Sequence, residues 1–290
     1  MKSSRIHICL LLILMLCSCS VNKFIPDKQY LLDEVDVVSD SKEVKPSLFT
    51  SYIRQNPNAK WFNLVKIPMR IYCISGKDSS KWMNRFLQKI GDAPKIYDET
   101  IALKSQREIE KAVRNMGYMR AVVRLDTIIN KNKLKLSYNI KTDSLYRINH
   151  IAYQIDDWMI NELIMQDSVY SLLSEGMPFD VVALDNERQR ITKLLQNNGY
   201  FKFNKDFIVY QADTVRNTFE VDLTMKLLPY RARKEDLPVS HKQYSIRNVN
   251  FITIDDITRF DNDYQSYDSL FYKGLNIYYK DNVYIRPNVL

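Results

Sequence analysis

The feature that most limits what this chain can fold into is an internal repeat. Arg114-Asn115-Met116-Gly117-Tyr118 returns as Gln196-Asn197-Asn198-Gly199-Tyr200. The likeness runs upstream without a gap: Ile109 matches Ile191, Lys111 matches Lys193, and Ala112 and Val113 match Leu194 and Leu195. In both copies apolar residues recur at helical spacing, so each is read as an amphipathic helix. Gly117 and Gly199 then stand at the C-terminal cap, where left-handed φ costs glycine nothing. The chain holds only six glycines, so two in one context mark the register of the repeat.

Downstream the copies stay parallel. Val122 to Ile128 and Phe207 to Tyr210 read as strands. Asp126-Thr127 and Asp213-Thr214 each precede a polar turn. Leu134, Leu136, Tyr138 and Ile140 then alternate, as do Val221, Leu223, Met225 and Leu227. Period-two alternation is a strand with one buried face. Each unit also opens with a strand: Tyr30 to Val35, Tyr146 to Ile155, and Tyr244 to Phe251. Asp157 to Leu173 reads as the helix that follows the second opening strand, and Glu175 to Phe179 as a turn. The predicted fold is α+β, in tandem units ordered strand, helix, helix, strand, strand. Two units are complete, 30–145 and 146–230; residues 231–243 are a linker, and 244–290 hold the start of an incomplete third. The first unit carries an insertion. Pro46 to Gln55 reads as a helix, and Ser79 or Ser80 is placed to cap another, with Trp82, Phe86 and Ile90 on one face. Those aromatics read as core packing or as a contact surface for a partner.

The N-terminus says where the chain goes. Lys2 and Arg5 precede the apolar run Cys9 to Leu16, which is far too short for a span of about 20 residues. A charged start before a short apolar run is a secretory signal. Leu16-Cys17-Ser18-Cys19 resembles the bacterial lipobox, with an aliphatic residue three before Cys19 and a small one just before it. This gives a lipoprotein signal peptide over 1–18, and a linker over 19–29 lipidated at Cys19. The alternatives are an ordinary cleaved signal or a short membrane anchor. Cys73 alone then remains in the mature chain, so no intramolecular disulfide can form. It reads as a small buried hydrophobe.

The formal charge of +8 falls to +6 when Lys2 and Arg5 leave with the signal. The basic residues are scattered among carboxylates, and export removes nucleic acid as a partner. No cofactor is implied. His150 and His241 lie in different repeats, which argues against a histidine-rich metal site. Ser75-Gly76-Lys77-Asp78 lacks the earlier glycine of a phosphate loop and reads as a turn. Asp261, Asp263 and Asp268 lack the glycine and final glutamate of a calcium loop. Asp156-Asp157 and Asp255-Asp256 follow strands and suit turns or helix caps.

The order of elements, the turn Gly176-Met177-Pro178-Phe179 and the helix end Asn198-Gly199-Tyr200-Phe201 resemble the polypeptide-transport-associated (POTRA) domain. Residues from Tyr30 through Ser75-Gly76-Lys77-Asp78 to Pro94, Ile96 and Tyr97 are similar to lipid-anchored relatives of the BamA/TamA outer-membrane assembly proteins. The resemblance implies non-enzymatic periplasmic domains, held at the outer membrane, that help to assemble or translocate outer-membrane proteins. It implies unfolded outer-membrane protein clients, an inner-membrane or periplasm-spanning TamB-like partner, and a C-terminal β-barrel, so the reading frame is expected to continue past Leu290. It places client binding on the strand after the second helix, at Val122, Val123, Ile208 and Val209, by β-augmentation. The alternative is a structural lipoprotein that tethers another envelope component. The lipobox reading is checked by mass spectrometry of the mature N-terminus. Cys19 is expected to carry acyl chains and Cys19→Ala to lose them; an unmodified Cys19 or cleavage elsewhere rejects it.

Overall fold

The computed structural model describes residues 21–61, 65–215, 218–231, 233, 237–253, 267–280, 282–283 and 285–289. The signal segment, Cys19, Asp255-Asp256, Asp261 and Asp263 lie outside the described residues. The elements in chain order are β1 (Leu31–Ser39), α1 (Ile67–Ile74), α2 (Trp82–Ile90), α3 (Glu99–Asn115), β2 (Val122–Asn130) and β3 (Lys133–Lys141). Then come β4 (Arg147–Gln154), α4 (Trp158–Gln166), α5 (Val181–Asn197), β5 (Ile208–Thr214), β6 (Glu220–Leu227), β7 (Val249–Thr253), β8 (Asp268–Tyr272) and β9 (Leu275–Tyr279). The fold class is α+β. Among the described residues the strands form three three-stranded sheets of one pattern, β1-β3-β2, β4-β6-β5 and β7-β9-β8, with the last strand central in each. The first strand pairs parallel with the last in all three. β2–β3 and β8–β9 are antiparallel.

The described residues of 1–154, 170–187 and 210–226 form one compact unit, and those of 155–169, 188–209 and 227–290 a second. Among the described residues the first unit holds a small cluster of Leu31, Met69 and Cys73 and two larger cores. One gathers Leu32, Val44, Phe49, Ile109, Val113, Leu134, Leu136 and Tyr138. The alternating β3 residues read from the sequence supply its floor, and α3 supplies Ala102, Ile109 and Val113. The other gathers Tyr146, Ile148, Phe179, Leu184, Val221 and Leu223. In the second unit Ile160, Ile164, Ile191, Leu195, Tyr200, Phe203 and Ile208 are buried.

Helix starts follow local chemistry. The Asp98 carboxylate accepts from Ile101 N at 3.2 Å, and Asp157 from Ile160 N at 3.3 Å, the side-chain cap that satisfies an orphan N–H. Several boundaries differ from the sequence reading. The helix expected to run to Leu173 stops at Gln166 and continues as a 3-10 turn, Ser168–Tyr170. Pro46–Tyr52 is 3-10 rather than α, and the strand expected from Tyr244 begins at Val249. Neither Ser79 nor Ser80 caps α2. Lys81 is the cap residue, with no side-chain bond, and the Ser80 hydroxyl donates to Asp78 Oδ1 instead. The third unit is not limited to an opening strand, since β7, β8 and β9 complete a sheet. The sequence reading missed this sheet because β8 and β9 are short and flank Gly274 rather than a long alternating run.

Both repeat glycines have left-handed backbone, φ +99° at Gly117 and +89° at Gly199. They also form a joint. Tyr146 N donates to the Gly117 carbonyl at 2.9 Å, and Tyr244 N donates to the Gly199 carbonyl at 2.7 Å. A Cβ at Gly117 would lie 2.9 Å from Leu145 Cδ1 and 3.1 Å from the Phe179 carbonyl oxygen; at Gly199 it would lie 2.7 Å from the Tyr244 carbonyl oxygen. Gly199→Ala is therefore expected to cost about 1–2 kcal/mol from left-handed backbone alone, and more from the contact with Tyr244. Urea unfolding of the parent and the variant measures this, and an unchanged midpoint would falsify the assignment.

Candidate functional site

The candidate site is the outer edge of β2. The register between β2 and β3 is unbroken from Val122↔Lys141 to Asn130↔Lys133. In an antiparallel pair main-chain groups alternate between facing the partner strand and facing away. Val123 faces away, because α3 side chains take up both of its polar groups. Glu110 Oε2 accepts from Val123 N at 3.0 Å, and Gln106 Nε2 donates to the Val123 carbonyl at 2.6 Å. One turn further along α3, Arg114 Nε donates to the Ala121 carbonyl at 3.0 Å, and its guanidinium pairs with Glu110 at 2.7 Å. Gln106, Glu110 and Arg114 are spaced four apart, so one helix face forms a ladder of polar side chains along the start of the edge.

The same ladder recurs at the matching positions of the second repeat. Arg188 Nη2 donates to the Lys205 carbonyl at 2.8 Å, as Gln106 does to Val123. Gln196 Nε2 donates to the Phe203 carbonyl at 2.8 Å, as Arg114 does to Ala121. The middle position differs: the Thr192 hydroxyl donates back to the Arg188 carbonyl at 2.8 Å. Here the ladder seats before β5, because a 3-10 turn, Lys205–Phe207, precedes that strand.

These contacts change how four site residues are read. Val123 offers no open main-chain donor, and its side chain is buried. Ile208 is fully buried, while Val122 and Val209 are exposed at 43% and 41%. By register, the groups that face outward beyond the ladder belong to Leu125, Thr127 and Ile129. Exposed isoleucines, Ile128 at 65% and Ile129 at 50%, stand there beside the exposed Arg124, Asp126 and Asn130. An exposed apolar edge is an aggregation hazard unless something covers or uses it. The ladder was missed in the sequence, although its signal was there: polar residues at 106, 110 and 114 and again at 188, 192 and 196, on helices otherwise read only for their apolar stripe.

A second feature lies in the second unit. Tyr200, Lys202, Phe203, Tyr230, His241 and Tyr244 line a pocket of about 190 Å³. Phe207 and Phe203 flank His241 at 4.7 and 4.9 Å between ring centres. His241 Nε2 lies 2.9 Å from the Leu228 carbonyl, which can only accept, so Nε2 carries the proton. The segment read as a linker thus supplies a pocket wall and a two-way pair between Tyr230 and Val239. At this volume the pocket suits one side chain rather than a drug-sized ligand, which takes about 300 Å³ or more. Among the described residues no group of three or more His, Cys, Asp or Glu is placed to hold a metal ion. No described helix is long and apolar enough to cross a membrane.

No protein-family model matches the chain. No curated protein matches it. Among solved structures it is similar to BamA from Haemophilus ducreyi lacking POTRA domains 1–3, at 13% identity and a TM-score of 0.35, over 68% of this chain and 29% of that one. It is similar to POTRA3–5 of Haemophilus influenzae BamA at 11% identity and 0.38, over 88% and 98%. It is similar to CdiB from Escherichia coli at 10% and 0.28, over 74% and 32%. The chain spans less than a third of the first and last of these. At such scores the fold rests on the strand order given above.

The ladder is testable by amide exchange. Glu110→Ala is expected to speed exchange at Val123, and Glu110→Ala and Gln106→Ala each to cost about 0.5–1.5 kcal/mol of stability. Unchanged exchange at Val123 would show that the strand edge is shielded by something other than Glu110.

Proposed function

We propose that the chain is the periplasmic part of a lipid-anchored outer-membrane protein, which captures unfolded outer-membrane polypeptides along the open half of β2. One observation supports this most. The helix ladder saturates the edge at Ala121 and Val123 and stops, leaving the main chain of Leu125, Thr127 and Ile129 facing away from the sheet among exposed isoleucines. Such an edge can add an incoming strand through main-chain hydrogen bonds, so it tolerates clients of varied sequence. The lipobox at Cys19 and the repeat resemblance support an outer-membrane location for such an edge. A TamB-like partner and a C-terminal β-barrel belong to the same reading.

The mechanism needs no chemistry beyond pairing. A client in extended conformation aligns antiparallel or parallel to β2. It offers carbonyls to the outward N–H groups of Leu125, Thr127 and Ile129, and N–H groups to their carbonyls. The ladder sets where pairing can begin, because no donor is left at Val123. Affinity per bond is small, about 0.5–1.5 kcal/mol, which suits capture and release.

Thr127→Pro removes the central outward donor while leaving the bonds of neighbouring residues to β3 in place. Binding of a urea-unfolded outer-membrane barrel protein to the full chain, measured by fluorescence anisotropy, is expected to weaken about tenfold, the equivalent of about 1.4 kcal/mol. Thr127→Val, which keeps the N–H, is expected to bind as the parent does. Equal binding by a folded Thr127→Pro chain would sink the edge reading.

A further inference from the structure

The inserted helix α2 is built inside out. Its sequence, Trp82-Met83-Asn84-Arg85-Phe86-Leu87-Gln88-Lys89-Ile90, contains no acidic residue and contributes no buried residue. An amphipathic helix ordinarily turns its apolar stripe to the protein. Here the polar side is docked. Asn84 Oδ1 accepts from Gly76 N at 2.9 Å, Asn84 Nδ2 donates to the Asp78 carbonyl at 2.8 Å, and Gln88 Nε2 donates to the Gly76 carbonyl at 2.9 Å. The apolar stripe faces out, with Trp82 exposed at 68%, Phe86 at 54%, Ile90 at 51% and Met83 at 48%. The far end of the helix is pinned. Asp92 N donates to the Pro68 carbonyl at 3.0 Å, and Gly91 sits so close to α1 that a Cβ there would lie 2.5 Å from Tyr72 N.

We infer that α2 is a membrane-contact helix, which lays this face of the first unit on the surface of a lipid bilayer. Arg85 and Lys89 border the apolar stripe, and Lys81 stands at the helix start. The nearest carboxylates in sequence are engaged elsewhere: Asp78 with Ser80, and Asp92 with Asn58 and Lys95. An aromatic and aliphatic stripe edged by cations is the chemistry of a helix lying in the headgroup plane of anionic lipid. Trp82 suits that plane, with an apolar body and a polar N–H.

Position supports the same occupant. The N-terminal segment of the described chain runs beside α1 and the turn on which this helix docks. Lys23 Nζ donates to the Ser75 carbonyl at 2.6 Å, and the next residue, Gly76, is the one that holds Asn84. The Phe24 ring meets Tyr72 edge-on at 5.1 Å, and Val21, Phe24 and Ile25 pack around Leu31, Met69 and Cys73. Val21 follows Cys19 by two residues, a reach of about 7 Å. Acyl chains on Cys19 would therefore bring α2 to the bilayer. This positional argument rests on the lipid-anchor reading; the inverted packing and the charge do not. A nine-residue helix of this kind adds its own apolar and electrostatic contact to that of the acyl chains.

The test uses the chain from Ser20 to Leu290, which holds every described residue and carries no lipid. Co-sedimentation with phosphatidylcholine vesicles, with and without phosphatidylglycerol, is compared for the parent, Trp82→Asp, Phe86→Asp and Arg85→Ser/Lys89→Ser. The parent is expected to sediment with the anionic vesicles. Each Asp variant is expected to lose at least about tenfold in partition, with circular dichroism unchanged because the altered side chains are exposed. The double Ser variant is expected to lose the preference for anionic lipid. A parent that fails to bind either vesicle, or Asp variants that bind as well as the parent, overturns the inference. Self-association of the parent that Trp82→Asp abolishes, with vesicle binding unaffected, also overturns it and assigns the stripe to a second copy. Because the probe has no lipid, an unmodified Cys19 found in cells would refute the anchor while leaving this result standing.

Discussion

Parallel pairing of the first strand with the last is the constraint on which the rest of the structure depends. Parallel neighbours cannot be joined by a tight turn, so a long connection must lie between them. The helices and the second strand occupy that connection, and the last strand takes the centre of the sheet. Every such sheet then has two edges to manage. The edge of the first strand is covered by the segment that leads into the second helix. Tyr97 N donates to the Tyr30 carbonyl, and Phe179 N to the Tyr146 carbonyl, both at 2.9 Å and at matching places in the two repeats. In the first repeat the edge of the second strand is covered at its start by the ladder from the helix. What remains open on β2 is therefore set by how far a helix side chain can reach, and β2 outruns it.

The first strands share another irregularity. Register shifts at Leu32/Glu34 in β1 and at Ile148/His150 in β4, at matching places. A bulge re-aims one side chain. In β4 the residue concerned is Asn149, whose amide donates to Asp222 Oδ1 at 2.7 Å. In β1 it is Asp33, which holds Lys66 at 2.8 Å and Lys133 at 3.4 Å. Burial alone would raise the Asp33 carboxyl, but the hydrogen bond and charge of Lys66, joined by Lys133, hold it below its ordinary value. Lys66 is itself nearly buried and precedes α1. The same backbone device thus serves the sheet in one repeat and fastens the insertion in the other.

How much of this the sequence discloses depends on whether a contact is local. The glycine caps, the alternation in β3 and β6 and the order of elements follow from spacing along the chain, and so they were legible. The joints were not, because each ties a glycine carbonyl to a tyrosine far along the chain, Gly117 to Tyr146 and Gly199 to Tyr244. The stripe Trp82, Phe86 and Ile90 was visible as a stripe. Its direction was not, because periodicity states that a helix has two faces and not which one is docked. That was decided by Asn84 and Gln88 finding main-chain partners around Gly76. Edge residues were misjudged at Val123 for a related reason: alternation shows where a side chain points, while the fate of the main chain depended on Gln106 and Glu110.

The insertion poses a last physical question, since it interrupts the first repeat without disturbing the cover on β1. The answer is a neck. Gln55 Nε2 donates to the Asp98 carbonyl at 2.9 Å, and Asp98 N donates to Gln55 Oε1 at 3.1 Å. Asn58, 2% exposed, donates to the Ala93 carbonyl and Asp92 Oδ2, each at 2.7 Å, and accepts from Lys95 N at 2.9 Å. Chain that leaves after Asn58 is thus tied to chain that returns at Asp92. The entropy of closing a loop grows only with the logarithm of its length. Once the neck is closed, α1 and α2 add little further cost, and Lys95 to Tyr97 reach β1 as though nothing had been inserted. An element attached this way is free of the demands of the sheet core. That freedom is the physical reason α2 can keep its apolar face outward.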